Sequence, residues 1–200
     1  MASTNGPITE LVQIPLAISF TEFLDVFSKR LEPVLLAQPG LRSVMTGVTI
    51  PKNDGKKPFA VSLTQWDSLE AHEAFGNSQD AGPFFDTLKP LATGPPTIEH
   101  YYLGHLESAI GQSRYSQILK FSVGGGDAQE AVFKAHVTSH GKAAALQGHC
   151  VEVDGQTALV LFDDGRGFTP APKAWKSDDI SSSFIVQWHR LGTGKISAAL

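Results

Sequence analysis

The stretch Trp66-Asp67-Ser68-Leu69-Glu70-Ala71-His72-Glu73-Ala74-Phe75 reads as a strand end, a corner and the start of a helix. Asp67 with Glu70 has the spacing of a capping box, and Ala71, Ala74 and Phe75 give the helix an apolar face. The strand before it, Phe59 to Gln65, splits by period two into Phe59, Val61, Leu63, Gln65 and Ala60, Ser62, Thr64. Trp66 continues the second set. That face is small and mildly polar until it meets the indole. The volume over it is filled by Trp66 as a core aromatic, or is left open as a ligand pocket.

Outward from this corner, the pattern resolves into a larger unit. Ile8 to Leu16 reads as a strand. Ser19 and Glu22 form a second capping box, with Ile18 and Phe23 placed as its hydrophobic staple. The helix that follows carries Phe23, Leu24, Phe27 and Leu31 on one face; Pro33 should kink it and Pro39-Gly40 end it. Leu41 to Ile50 is a strand, followed by a polar turn. Beyond the Trp66 helix, which stops at Gly76-Asn77, Phe84, Phe85, Leu88 and Leu91 recur at helical spacing, and Thr97 to Leu103 is a fourth strand. The order is β-α-β-β-α-β, a split βαβ or ferredoxin-like unit.

The order then begins again. Tyr115 to Val123 is a strand, Gly124-Gly125-Gly126 breaks it, and Asp127 with Glu130 makes a third capping box before a helix from Ala128 to His140. Leu146 to Val153 and Thr157 to Phe162 form a hairpin across Asp154-Gly155, and Ser183 to Leu191 is the last strand. Pro170 and Pro172 stand where the second helix of this unit would fall, so the second copy is degenerate. The expected architecture is α+β: a first repeat over 1–105, a linker over 106–112, a second repeat over 113–192 and a tail over 193–200. Two sheets with helices on one face each hide their other faces by packing as one α/β barrel, a single compact module.

Composition bounds the partners. Over 200 residues, 42% are hydrophobic, 18% are charged, and the net charge is −4. This balance fits a soluble protein and argues against nucleic acid or an anionic membrane as the main partner. A single cysteine, Cys150, excludes an internal disulfide and fits a cytoplasmic location. The first residues lack a signal-peptide pattern, and no run approaches the ~20 apolar residues of a spanning helix.

The Trp66–Phe75 run, preceded by Gln38-Pro39-Gly40 and followed by Gly82-Pro83-Phe84-Phe85, resembles antibiotic-biosynthesis-monooxygenase-type dimeric α/β-barrel proteins, particularly tandem fungal members of secondary metabolism. The resemblance is good over residues 8–105 and rests on element order over 113–192. It implies a site between sheet and helices. Oxygenase members carry an Asn where Ser62 stands and an Arg in the region of Asp86, and haem-degrading members carry a His that is missing between Gly76 and Leu91. The chain thus departs from the haem pattern and in part from the oxygenase one.

Candidate site residues follow from face sharing. His136 lies in the apolar stripe with Val132, Phe133 and Val137, either as a general acid or base or as a core histidine bonded to a carbonyl. His140 is at metal-ligand spacing from it, yet no third ligand is in view, so no metal site is expected. His100 and Tyr102 share a face of the fourth strand. Counting back from Gly104 and Gly192 puts Trp188 and Arg190 at the matching positions of the last strand. These positions would line a cavity or fill the barrel. His149 cannot pair with Cys150, because adjacent strand residues face apart. His72 is expected to be exposed.

The leading expectation is a cofactor-independent tailoring enzyme for a small apolar natural-product intermediate, acting by non-redox cyclisation, cycloaddition or isomerisation. His100 and His136 would be catalytic; Trp66, Ser62, Tyr102, Trp188 and a lid residue, Trp175, would bind substrate. The alternatives are a cofactor-free monooxygenase and a non-catalytic small-molecule-binding barrel. No cofactor is expected, and the protein would be a monomer or homodimer.

Overall fold

A computed structural model describes residues 6–50, 57–106, 113–141, 145–163 and 179–193. The first repeat comprises β1 (Ile8–Pro15), α1 (Phe20–Val26), α2 (Glu32–Leu36), β2 (Leu41–Thr49), β3 (Phe59–Trp66), α3 (Leu69–Gly76), α4 (Ala81–Leu88) and β4 (Thr97–Tyr101). The second comprises β5 (Tyr115–Phe121), α5 (Gly126–His140), β6 (Ala145–His149), β7 (Thr157–Phe162) and β8 (Ile180–Thr193). The segment expected to lack a second helix falls at 164–178, outside the described residues, as does Trp175.

All eight strands form one antiparallel sheet in the order β4-β1-β3-β2-β8-β5-β7-β6. Each half carries the 4-1-3-2 order of a ferredoxin-like unit, so the repeat read from sequence is present in the topology. The halves meet along β2–β8, and a Tyr101–Cys150 bridge closes the opposite seam. There Tyr102 N–H donates to His149 O at 3.0 Å and Val151 N–H to His100 O at 2.8 Å. Closure satisfies the backbone groups that an open edge would expose. Both seams require a glycine. A Cβ on Gly47 would lie 2.4 Å from Gln187 O, and one on Gly148 would lie 1.9 Å from Tyr102 O.

Leu11, Leu63, Tyr101, Ile118, Val160 and Trp188 fill the barrel interior. Lys120 Nζ binds Glu99 Oε2 at 2.6 Å, and the same carboxylate oxygen accepts from the Tyr101 hydroxyl at 3.3 Å. Outside, Phe23, Phe27, Leu31 and Leu35 recur along the first helical segment and pack on the first half-sheet. Leu24 is only partly buried. Instead of a simple kink, this segment widens into a π-helical turn at Phe27–Leu31 and resumes as α2 with Pro33 in its first turn, where a missing N–H costs little. On the second half, Val132 of α5 packs on Leu119, Phe121 and Leu161.

The capping boxes fared differently. Ser19 and Glu22 bond reciprocally as expected. At α3 the cap is Ser68, whose Oγ accepts from Ala71 N–H at 3.3 Å, because Asp67 is drawn to Arg42 Nε at 2.6 Å. Helix α5 starts earlier than expected, at Gly126 with Gly125 as its cap, so Asp127 lies within its first turn. Ala74, expected on the apolar face of α3, is exposed.

Candidate functional site

The small-residue face of β3 borders a cavity of about 180 Å³ between the first half-sheet and its helices. Ser62 and Thr64 form part of the floor with Val12, Ile14 and Ile98; Phe27, Leu35, Phe75, Phe84, Phe85 and Leu88 form the roof. Ser62 Oγ and Thr64 Oγ1 are 3.1 Å apart. The cavity adjoins a groove of about 590 Å³ beside Lys89 and the 92–96 loop, and Ile14, Phe85, Leu88 and Pro96 border both. Phe85 is 46% exposed and sits at this mouth. A larger groove of about 670 Å³ runs past Tyr102 and the start of α5. The smaller cavity is the better candidate, being chiefly apolar with a few polar groups converging on one part of its wall.

Besides Ser62 and Thr64, those polar groups are Glu10 and His72. Glu10 is on β1, opposite His100 of β4 in the ladder. Its Oε2 accepts from Trp66 Nε1 at 3.4 Å, and its Oε1 lies 3.5 Å from His72 Nε2. Behind His72, with ring centroids 4.6 Å apart, is His100. His100 donates from Nδ1 to Glu152 Oε1, and its backbone N–H donates to Glu152 Oε2 at 3.1 Å. Glu152 belongs to the second repeat, so the cluster spans the closing seam. Cys150 Sγ also donates to Glu152, at 3.2 Å.

These bonds set protonation preferences. Burial alone would lower the His72 pKa. The Glu10 hydrogen bond and charge, helped by Glu73 and Glu152, outweigh it, and the pKa is raised. Burial likewise would raise the Glu152 pKa, but the bonds from His100 and Cys150 hold it below the usual carboxylate value. The ionised Glu152 carboxylate accepts from His100 Nδ1. His100 Nε2 and His72 Nδ1 are both buried without a hydrogen-bond partner.

The sequence-derived candidates are dispersed. Ser62 lines the cavity, and His100 joins the cluster behind its wall. Trp66 fills the core: it is fully buried, stacks on Phe75 at 5.8 Å and meets His72 edge-on. Tyr102 borders the groove beside α5 instead of the cavity. Trp188 is inside the barrel, donating from Nε1 to Ser116 Oγ at 2.8 Å. The register shift between Thr46 and Gly47 in the β2–β8 ladder breaks the count back from Gly192, so Trp188 does not share the His100 face. His136 is fully buried away from the cavity, with Nε2 3.3 Å from Phe162 O and its ring stacked on His140 at 4.2 Å.

Glu10, His72 and Glu152 were missed. His72 is not solvated; its side chain is 22% exposed. The signal was available, since His72 precedes Phe75 by one helical turn and therefore shares its side of α3. Glu10 also had a signal, as it lies on the Val12 and Ile14 face of its strand. Nothing local pointed to Glu152.

This arrangement defines the class: a dimeric α/β-barrel fold, with both halves supplied by one chain. A Fusobacterium nucleatum protein described as a "putative monooxygenase" superposes with TM-score 0.64 over 96% of each chain at 8% identity. A Lactobacillus acidophilus protein of the same description gives 0.60 at 14% identity, over 94% of this chain and 96% of its own. An "anthrone oxidase-like protein" gives 0.59 at 13% identity, over 100% of this chain and 99% of its own. No protein-family model matches the sequence, and no curated protein matches it. Among the described residues no helix is long and apolar enough to cross a membrane.

Proposed function

We propose that the protein is a small-molecule oxygenase that uses the substrate's own acidity. A small, mostly apolar molecule with a weakly acidic C–H or O–H group occupies the cavity under Phe27, Phe75 and Phe84. The carrying observation is the Glu10–His72 pair on the wall of a chiefly apolar cavity. His72, oriented by Glu10 and made more basic by it, takes the substrate proton from its unprotonated form, and the resulting anion supplies electrons to dioxygen. For an activated methylene, R₂CH₂ + O₂ gives R₂C=O + H₂O: one oxygen atom enters the product, the other leaves as water, and dioxygen is the four-electron acceptor. The names of the three full-length structural neighbours support oxidation over the non-redox cyclisation or isomerisation expected first.

The test is incubation of metal-stripped protein with anthrone and a panel of phenols under ¹⁸O₂ and under argon. A product carrying one ¹⁸O, formed only with oxygen and lost in His72→Ala, is expected. An isomer of unchanged mass formed in both atmospheres would restore the non-redox reading. Binding of these compounds without turnover would make the barrel a carrier.

A further inference from the structure

Glu10, His72 and His100 come from β1, α3 and β4, and each brings one potential ligand atom to within 4.8 Å of the other two. His100 is only 9% exposed, and its Nε2 has no hydrogen-bond partner; neither has His72 Nδ1. Buried polar nitrogens without partners are uncommon, and two in adjacent rings of one cluster call for a common explanation. The Glu152 carboxylate behind His100 supplies another part of the pattern. It engages Nδ1 and leaves Nε2 as the ring nitrogen available to an ion, as outer carboxylates do for metal-bound histidines.

We infer that Glu10, His72 and His100 form a divalent transition-metal site, with zinc the ion its donors fit best. Two imidazole nitrogens and one carboxylate favour such an ion over magnesium or calcium, which prefer oxygen donors. Bonds of roughly 2.0–2.2 Å to a tetrahedral ion need the donors only modestly closer together than they stand. Three protein ligands leave a coordination position for water or a ligand from the cavity, on which Glu10 and His72 lie. Glu152 is a positioning residue of this site, contributed by the other repeat.

The inference rests on the cluster's geometry and not on the proposed reaction. The two meet at His72, which cannot hold an ion and accept a substrate proton through the same lone pair. Metal occupancy would therefore silence the deprotonation.

The test uses the full, metal-stripped chain without substrate. Cobalt(II) is titrated in as a spectroscopic stand-in, followed by calorimetry with zinc. One equivalent should bind with visible bands of low coordination number. Zinc should raise the melting temperature of the native protein, as any ligand specific to the folded state does. His100→Ala and, on the more accessible helix, His72→Ala should each weaken binding at least 100-fold. Glu152→Gln should weaken it about 10-fold to 100-fold, the range for an outer-shell partner. Cys150→Ser and His140→Ala should bind like the native protein. Failure to bind an equivalent overturns the inference. So does binding unchanged in both His100→Ala and His72→Ala, or binding abolished by Cys150→Ser or His140→Ala, which would put the ion on the thiol or on the α5 histidines. Oxygen-dependent turnover with no metal binding would leave the proposed function standing while removing the site.

Discussion

Trp66 Nε1 donates to Glu10 Oε2 over 3.4 Å, so the corner aromatic reaches the cavity through a carboxylate instead of touching its contents. The indole holds one carboxylate oxygen while His72 approaches the other. Glu10→Gln should lower kcat about 100-fold with little change in KM, the scale of a lost acid–base partner. Trp66→Phe should retain the stack on Phe75 and lose activity by a smaller factor. Steady-state kinetics on both variants checks this; an unchanged kcat in Glu10→Gln removes the carboxylate from the chemistry.

Ser62 faces empty volume, so a larger side chain there meets few atoms. Ser62→Leu should fill much of the cavity and weaken ligand binding at least tenfold while leaving the melting temperature nearly unchanged. Phe85→Ala, which widens the mouth, should instead speed association. Calorimetry and stopped-flow binding distinguish the two effects.

The Lys120–Glu99 pair is largely enclosed by the barrel. Among the described residues, Lys120→Met leaves the Glu99 carboxylate with the Tyr101 hydroxyl as its partner and should cost about 3 kcal/mol, the low end of the range for broken buried pairs because Glu99 keeps some water. Adding Glu99→Gln should recover most of that loss. Urea denaturation of the single and double variants measures the coupling.

A Cβ on Gly148 would collide with a backbone oxygen of Tyr102, which has no rotamer by which to withdraw. Gly148→Ala should therefore open the Tyr101–Cys150 seam and destabilise the fold by about 3 kcal/mol or more. Hydrogen exchange should show the loss first at Tyr102 and Val151, whose amides bond across that seam.

Burial and the hydrogen bond to Glu152 push the Cys150 thiol pKa up. At neutral pH it holds less thiolate than a free cysteine, so it should react slowly with an aromatic disulfide reagent. Its rate should climb only above the ordinary thiol range and should jump on unfolding. A rate like that of free cysteine in the native state would contradict this.

Much of the fold was legible because it is written locally. Period-two strands and the Ser19–Glu22 box specify elements from neighbouring residues, and two copies of one element order imply the doubled topology. The turn at Asp154-Gly155 is present, but β6 ends at His149 and not at Val153, so the hairpin connection is longer than expected. The Ala60, Ser62, Thr64 face also announced space above β3, because residue size on one side of a strand is a sequence property. Local errors came from competition between neighbours, as at Asp67, which Arg42 claims from the helix cap.

The polar cluster was decided only by tertiary structure. Glu10, His72, His100 and Glu152 belong to separate parts of the chain, and periodicity assigns each a face without saying which faces meet. The strand order puts β1 beside β4, barrel closure brings Glu152 across the seam, and the packing of α3 lowers His72 onto His100. A single register shift likewise sends Trp188 into the barrel interior. Side-chain alternation reverses with every one-residue slip, so sequence determined the elements and their repeat, while long-range pairing determined which side chains could act together.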